Sequence, residues 1–202
     1  MDGYNFILQG QPQYYALSAQ LLNTFESGDT RRIKWIDSII VESPAQTYYY
    51  PYKYKVYVDP DPSTTEEYTM MLRLAEQYLI RAEARIRQHN IAGAVADLNT
   101  IRARARAAAT TSMPNPLPDL ASNISEQQAL DALLHERQVE LLVEGGHRWF
   151  DMIRMGYANT VMGAPGNICQ LKGGAWRPEW QLFPVPQPEI DKDPKLSQNL
   201  AY

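Results

Sequence analysis

The chain has 202 residues, of which 45% are hydrophobic and 21% are charged, and its formal net charge is −4. This composition is typical of a globular domain with a sizeable core, and the negative charge argues against nucleic acid or an anionic membrane surface as a partner. Cys169 is the single cysteine, which excludes an intrachain disulfide framework. No apolar run approaches the roughly 20 residues of a membrane span. The first ten residues lack the segments of a secretory signal, so the protein is cytosolic or its native amino terminus is missing.

The first part of the chain predicts one helix followed by extended segments. Apolar residues on one face predict a helix over residues 14–26. Residues 33–41 are rich in β-branched side chains and predict an extended segment. Alternating tyrosines predict a strand over residues 48–58, with Pro51 at an edge or bulge. Aspartate and proline make residues 59–63 a turn-rich connection.

The middle of the chain predicts a helical hairpin. Apolar residues at the helical period predict one helix from about residues 65–68 to residue 88 and another over residues 91–108. His89 and Asn90 separate them, and asparagine tolerates the left-handed conformation that such a turn needs. Two helices joined so tightly form an antiparallel pair, which resembles one tetratricopeptide unit.

The last part of the chain predicts one more long helix and then mostly irregular structure. Prolines make residues 110–123 a loop, after which Ser125 and Gln128 form a capping-box pattern. The helix that begins there should stop at Gly145, and a short helix should follow over residues 147–155. The rest is predicted to be irregular. Its proline-rich tail is expected to be docked, because it carries too many apolar side chains for a free tail.

Charged residues recur at helical spacing within residues 134–156. Seven of them form the candidate network: Glu136, Arg137, Glu140, Glu144, Arg148, Asp151 and Arg154. The three glutamates are four residues apart on one face, and the last three members are three residues apart on the next helix. We expect a partly buried ion-pair network that fixes how two helices meet, with a structural role.

Two other interpretations of these charges stay open. Glu136 with Glu140 or Asp151 would be the acid and base of a glycosidase, but helix neighbours point the same way and imply no cleft. His147 and Asp151 have the spacing of metal ligands, yet Val139 stands where a zinc-protease motif needs its second histidine. We therefore predict no metal, no cofactor and no catalytic residue.

The same segment resembles the signature block of the SusD/RagB family. The matching pieces are Glu136-Arg137, Glu140-Leu141, Glu144-Gly-Gly-His-Arg148, Phe150-Asp151 and Arg154-x-Gly156. Three further pieces agree in order and spacing: Gly28-Asp29-x-Arg31-Arg32, residues 72–84, and Phe183-Pro184-Val185-Pro186 followed by Gln198-Asn199. The resemblance extends from about residue 21 to residue 202.

The resemblance implies a mostly α fold with tetratricopeptide-like helical hairpins, irregular loops and a few short strands. It implies one SusD/RagB-like carboxy-terminal domain over residues 1–202, with the family's amino-terminal region absent. Such proteins are surface lipoproteins of the cell outer membrane, which bind oligosaccharides for a TonB-dependent transporter of the SusC type and catalyse nothing. Membrane contact would come only through a lipid anchor outside this chain, because Cys169 lies in an interior loop.

Sugar recognition needs flat aromatic rings with polar groups around them. The candidate ligand-binding residues, which lie in predicted loops or edges, are Trp35, Tyr48, Tyr49, Tyr50, Trp176 and Trp180. For each of them the alternative is burial in the core, and Trp149 is expected to pack there because it lies within a helix. As alternative functions, the helical pair suggests a tetratricopeptide-type protein-interaction scaffold, and converging carboxylates would suggest a glycan-degrading enzyme.

Overall fold

The computed structural model describes residues 2–12, 15–43, 45–58 and 67–202. It divides the chain into two compact units, Met1–Gly145 and Gly146–Tyr202, within what the sequence predicts as a single domain. The described residues are mostly helical with one small sheet, as predicted. No helix in this part of the chain combines the length and the apolar character needed to cross a membrane.

The first unit holds six helices and a β-hairpin among its described residues. The elements are α1 (Asp2–Phe6), α2 (Ala19–Leu22), α3 (Arg31–Lys34), β1 (Ile36–Glu42), β2 (Ala45–Pro51), α4 (Leu74–Arg87), α5 (Ile91–Ala105) and α6 (Glu126–Glu140). The two strands are antiparallel, with Ile36 opposite Pro51 and Glu42 opposite Ala45. The predicted strand over residues 48–58 therefore ends early, because proline lacks the N–H that would continue the ladder.

The predicted helix over residues 14–26 is largely wrong. Only α2 is helical, and it begins where the Ser18 hydroxyl accepts a hydrogen bond from the Leu21 amide (3.2 Å). Immediately before it, the Leu17 amide donates to the Tyr49 carbonyl on β2 (2.8 Å), which keeps the chain extended beside the hairpin. Tertiary pairing thus overrides the helical period. Tyr14 and the predicted turn over residues 59–63 lie outside the described residues.

The helical hairpin of α4 and α5 is confirmed, with two changes at its ends. α4 begins at Leu74, and the predicted apolar positions before it are wrong, since Met71 and Leu72 are about four-fifths exposed. α5 ends at Ala105, because Arg106 is extended and pairs with Asp29 in an isolated bridge. Fully buried small and aliphatic residues pack α4, α5 and α6 together: Leu79, Ala82, Ile86, Ala94, Leu98, Leu133 and Val139.

Two predicted turns are close to the observed ones. His89 rather than Asn90 adopts the left-handed conformation (φ 58°), while the Asn90 side chain caps α5 by accepting from the Gly93 amide (3.0 Å). The capping box at Ser125 and Gln128 is present and opens α6. α6 ends at Glu140, before the predicted glycine stop, and a turn carries the chain on to Gly145.

The second unit contains more regular structure than the sequence predicts. Its elements are α7 (His147–Arg154), α8 (Ala158–Gly163), α9 (Ile168–Leu171), a 3-10 helix (Pro178–Gln181) and α10 (Gln187–Lys192). α7 matches its prediction, whereas the short helices fall in a part predicted to be irregular. Helices of four to six residues complete too few turns to show a period.

Candidate functional site

The charged residues of α6 form the centre of a buried ion-pair network. The side chains of Glu136 and Glu140 are fully buried, and Glu144 in the following turn is 9% exposed. Arg31 from α3 reaches both of the first two carboxylates, with N–O distances of 3.0 Å and 3.2 Å. It also forms a two-pronged pair with Asp29, two residues earlier (2.7–3.0 Å). The Asp-x-Arg element therefore joins the network that α6 begins.

The remaining cations come from α5, from the start of α4 and from the segment after β2. Arg102 bonds Glu136 (2.7 Å), and Arg104 bonds Glu140 (2.5 Å). Further pairs join Arg73 to Glu140 (2.8 Å), Arg73 to Glu144 (2.9 Å), Lys53 to Glu144 (2.6 Å) and Arg102 to Glu26 (2.6 Å). The network has five carboxylates, Glu26, Asp29, Glu136, Glu140 and Glu144, against five cations, Arg31, Lys53, Arg73, Arg102 and Arg104.

The pKa shifts follow from this pairing. Burial would raise the pKa of Glu140, but hydrogen bonds from Arg104 and Arg73 lower it below its usual value. Burial would lower the pKa of Arg31, yet its bonds to Asp29 and the charges around it raise it instead. Lys53 behaves differently: burial lowers its pKa to about 8, despite its bond to Glu144. Its ammonium also lies 4.1 Å from the centre of the Trp35 ring.

This arrangement disfavours a glycosidase pair made of Glu136 and Glu140, and it also disfavours a metal site at Glu26, His135 and Glu136. It does not test the interpretation of His147 and Asp151 as metal ligands. A glycosidase pair needs carboxylates that reach a substrate, whereas Glu136 and Glu140 are fully buried and held by arginines. Donor atoms of Glu26, His135 and Glu136 lie within 4.8 Å of one another, as a metal site would require. Arg102, however, already bonds both of those glutamates at 2.6 Å and 2.7 Å, and so supplies the charge that a cation would bring.

The other predicted network residues are placed as follows. Arg137 is buried on α6. In the second unit Arg154 bonds Asp151 within α7 (2.7 Å). Burial lowers the pKa of Arg148, and the charge of Asp151 opposes this. The structure adds five cations as partners of Glu136, Glu140 and Glu144, none of which the sequence assigned to the network: Arg31, Lys53, Arg73, Arg102 and Arg104.

Aromatic rings gather in the second unit. Trp176 lies 6.1 Å from Trp149 and 6.3 Å from Trp180, edge to face in both pairs, and Phe183 lies 6.4 Å from Trp149. We call these four residues the tryptophan cluster. The Trp176 indole N–H donates to the Asn159 side chain (2.9 Å), which fixes that ring. The three tryptophans are half-buried and Phe183 is 74% exposed, so the cluster presents ring surface to solvent.

The carboxy-terminal tail supports this cluster through amide groups. The Gln198 side chain accepts from the Val185 amide (2.7 Å) and donates to its carbonyl (2.9 Å). Asn199 donates to the Phe183 carbonyl (2.6 Å), and the Tyr202 hydroxyl donates to the Leu182 carbonyl (3.3 Å). These bonds hold the proline-rich segment along the last residues of the chain. These bonds fold the tail back on itself, and its docking against the rest of the unit stays a prediction.

The predicted tyrosines and Trp35 lie in the first unit, on and beside the β-hairpin. Tyr50 is 7% exposed, and the face of Trp35 is covered by Lys53. Tyr48 and Tyr49 are half-buried, and the guanidinium of Arg32 lies 5.1 Å from the centre of the Tyr49 ring. Trp176 and Trp180 thus belong to one cluster in the second unit, whereas the other four candidates lie in the first unit. The sequence did not assign Trp149 and Phe183 to a site, since a helical tryptophan and a tail phenylalanine are more often core residues.

Two curated proteins that resemble this chain are both SusD or SusD-like proteins. The SusD-like protein P38 of Formosa agariphila is 28% identical over 145 residues, which cover 72% of this chain and 27% of that protein. The starch-binding protein SusD of Bacteroides thetaiotaomicron is 29% identical over 137 residues, or 65% of this chain and 21% of that protein. The chain therefore spans about a quarter of the length of these curated relatives.

Solved structures show the same fold. A SusD superfamily protein from Bacteroides vulgatus has a TM-score of 0.66 at 18% identity, covering 93% of this chain and 44% of its own. Surface glycan-binding protein A from Bacteroides uniformis has a TM-score of 0.61 at 23% identity, covering 91% and 40%. The SusD family model matches residues 11–202. Together with the charge network built on the signature block, this match means that the chain belongs to the SusD family.

Proposed function

We propose that this protein captures oligosaccharides at the outer surface of the outer membrane and delivers them to a TonB-dependent transporter of the SusC type. The observation that carries the proposal is the SusD family match over residues 11–202, and a relative named as starch-binding supports it. A tetratricopeptide-type scaffold would account for α4 and α5 alone, but the family match continues through α6 to the end of the chain. The surface location and the transporter partner are parts of the same proposal.

The tryptophan cluster is the proposed contact surface for a sugar. A pyranose has an apolar face that stacks on aromatic rings and a rim of hydroxyls that needs planar hydrogen-bonding groups. Arg177 supplies such a group, with its guanidinium 5.8 Å from the centre of the Trp180 ring. Tyr48 and Tyr49 form a second proposed surface, because Tyr50 is buried and the ring of Trp35 is covered by Lys53.

The proposed function involves binding of a glycan without catalysis. Acid–base hydrolysis needs carboxylates with room for a sugar and a water between them. The candidate carboxylates of α6 are instead immobilised by arginines inside the first unit. Binding without turnover therefore suits the arrangement better than glycan degradation, and the protein should release an oligosaccharide unchanged.

A glycan array followed by calorimetry with the best oligosaccharide tests the proposal. We expect affinity of roughly millimolar strength, about −4 kcal/mol, and a loss of about fivefold or more on Trp180→Ala, since an aromatic platform is worth about 1 kcal/mol or more. Phe150→Ala is the matched control. Phe150 lies in the same unit and is 62% exposed, but among the described residues it makes no ring contact with the tryptophan cluster. Absence of binding to every glycan would overturn the function. Equal losses in both variants would move the site elsewhere.

A further inference from the structure

A cleft near the start of the chain is lined by residues that belong to none of the sites predicted from the sequence. Its volume is about 570 Å³, within the range of roughly 300–1,000 Å³ found for small-molecule sites. Three tyrosines and three side-chain amides line most of it: Tyr4, Asn5, Gln9, Gln11, Tyr15 and Tyr57. We call it the tyrosine cleft. It lies entirely in the first unit.

The floor of the cleft is a stacked pair of rings. Tyr4 and Tyr57 are parallel to within 28°, with their centres 5.3 Å apart. Tyr4 remains 61% exposed, and Tyr15 is 41% exposed across the cleft. The pKa of Tyr15 is raised, first by burial and then by the neighbouring Tyr57 hydroxyl. The rings therefore present a flat apolar surface with hydroxyls at its edge.

Local packing holds that pair in place. Gly3 is buried, and a Cβ there would lie 2.2 Å from the Val56 carbonyl oxygen, so only glycine allows α1 to come this close to the segment carrying Tyr57. Phe6 on the same helix stacks on Tyr54, with ring centres 6.5 Å apart. A platform anchored at two rings and one backbone contact loses little entropy when a ligand binds.

The same segment is also held from its other side. The Glu67 carboxylate accepts hydrogen bonds from the backbone amides of Lys55 (2.7 Å) and Val56 (3.3 Å). These bonds hold the backbone immediately before Tyr57, which helps to keep its ring beside Tyr4. The cleft is therefore largely preformed.

The polar groups around the rings are uncommitted. The side-chain amides of Asn5, Gln9 and Gln11 are exposed, and the described residues offer none of them a hydrogen-bond partner. An amide carries two donors and one acceptor oxygen in a plane, which suits neighbouring hydroxyls of a sugar ring. None of the described residues that line the cleft is charged, so it has no counter-ion for a uronate or a sulfate group.

We propose that the tyrosine cleft binds a neutral oligosaccharide, with one pyranose stacked on Tyr4 and its hydroxyls bonded by Asn5, Gln9 and Gln11. This inference rests on the proposed function, since it takes the chain to be a glycan binder. It adds a site that is separate in sequence from the tryptophan cluster and it specifies the ligand as uncharged.

Fluorine NMR of the full chain labelled with fluorotyrosine tests the site directly. Tyrosine-to-phenylalanine variants assign the signals of Tyr4, Tyr15 and Tyr57. The probes are neutral malto-, cello-, xylo- and manno-oligosaccharides, with oligogalacturonate as the charged comparison, each added up to about 20 mM so that millimolar affinity is detected. We expect saturable shifts of these three signals with at least one neutral probe and none with oligogalacturonate.

Two variants connect the shifts to binding. Gln9→Ala removes an exposed amide without touching the packed rings, and Tyr4→Ala removes the platform. Each should weaken binding by about fivefold or more, whereas Tyr68→Ala, at an exposed tyrosine outside the cleft, should change nothing.

The outcomes separate this site from the proposed function. If a neutral glycan binds the chain but leaves the three signals unmoved, the cleft is not a site and the proposed function stands. Shifts with oligogalacturonate alone would overturn the ligand class. If no glycan binds at all, the proposed function fails and the cleft proposal fails with it.

Discussion

The two units of this chain use polar side chains in opposite ways. In the first unit, ten charged residues form mutual ion pairs, and the carboxylates at their centre, Glu136 and Glu140, are fully buried. In the second unit, neutral amides such as Gln198 and Asn199 bond backbone groups, and aromatic rings remain half-buried or exposed. The first unit is held by buried pairs of charges, whereas neutral amides hold the tail of the second unit.

The difference separates residues that maintain the fold from residues that can meet a ligand. A buried charge that loses its partner costs several kcal/mol, so the residues of the network are constrained by one another. Exposed rings carry no such constraint and can change with the ligand. The three glutamates of the family signature block, Glu136, Glu140 and Glu144, are therefore better explained by the network than by binding, and ligand preference should reside in the rings.

The largest effect on stability is expected when Arg31, the arginine at the centre of the network, is removed. Arg31→Ala leaves Asp29, Glu136 and Glu140 each short of a cation in a buried place. We expect the free energy of unfolding to fall by about 3–5 kcal/mol, measured by urea denaturation.

Arg32→Ala is the matched control. Arg32 is adjacent and half-buried, but its charge lies against the Tyr49 ring and not in the network. A loss of about 1 kcal/mol or less is expected. Similar losses in both variants would mean that the buried ion pairs contribute no more to stability than an ordinary surface contact.

Local features of the fold were predictable, whereas the network's partners were not. The capping box at Ser125 and the hairpin of α4 and α5 are short-range patterns, which sequence spacing records directly. Arg31, by contrast, meets Glu136 across 105 residues of sequence. The four-residue spacing of the glutamates indicated that cations were needed, but no local rule identifies which ones.

The candidate sites show the same limit. Trp176 and Trp180 were predicted because they lie among glycine and proline, where a packed core is less expected. The ring contacts of Trp149 and Phe183 depend on how three segments of the second unit meet. The tyrosine cleft was missed for a similar reason, since α1 has five residues and shows no period.

A smaller effect is expected in how the free energy of unfolding of the first unit depends on pH, because Lys53 is part of its network. Burial lowers the pKa of Lys53 to about 8, from an ordinary value of 10.5. Between these pH values the unfolded chain binds more protons than the folded chain, so the free energy of unfolding should rise as the pH increases through about 8. We expect a gain of about 2 kcal/mol between pH 7 and pH 9.5.

Urea denaturation of the Lys53→Met variant over the same pH range isolates this group. Because the variant has no ammonium to deprotonate, its stability should lack that rise. Parallel curves for the two proteins would show that Lys53 keeps its proton in the folded chain, bound by Glu144.

The smallest effect is expected in the second unit, at Gln198. Gln198→Ala removes both hydrogen bonds to Val185, at 2.7 Å and 2.9 Å, from a neutral and half-buried amide. Neutral bonds that water can replace are worth about 1 kcal/mol each, so we expect a local loss of about 1–2 kcal/mol. Hydrogen exchange of the Val185 amide should then speed up by about 5–30-fold, because exchange reports local opening.

Gln187→Ala provides the control, since that amide bonds only the exposed Asp191 one turn later among the described residues (2.7 Å). It should leave the exchange of the Val185 amide unchanged. The urea midpoint of the first unit should not move in either variant, because the network does not involve these amides. Unchanged exchange in Gln198→Ala would mean that the rings hold the tail without the amide. A global loss as large as that of Arg31→Ala would mean that the two units do not differ in how they are stabilised.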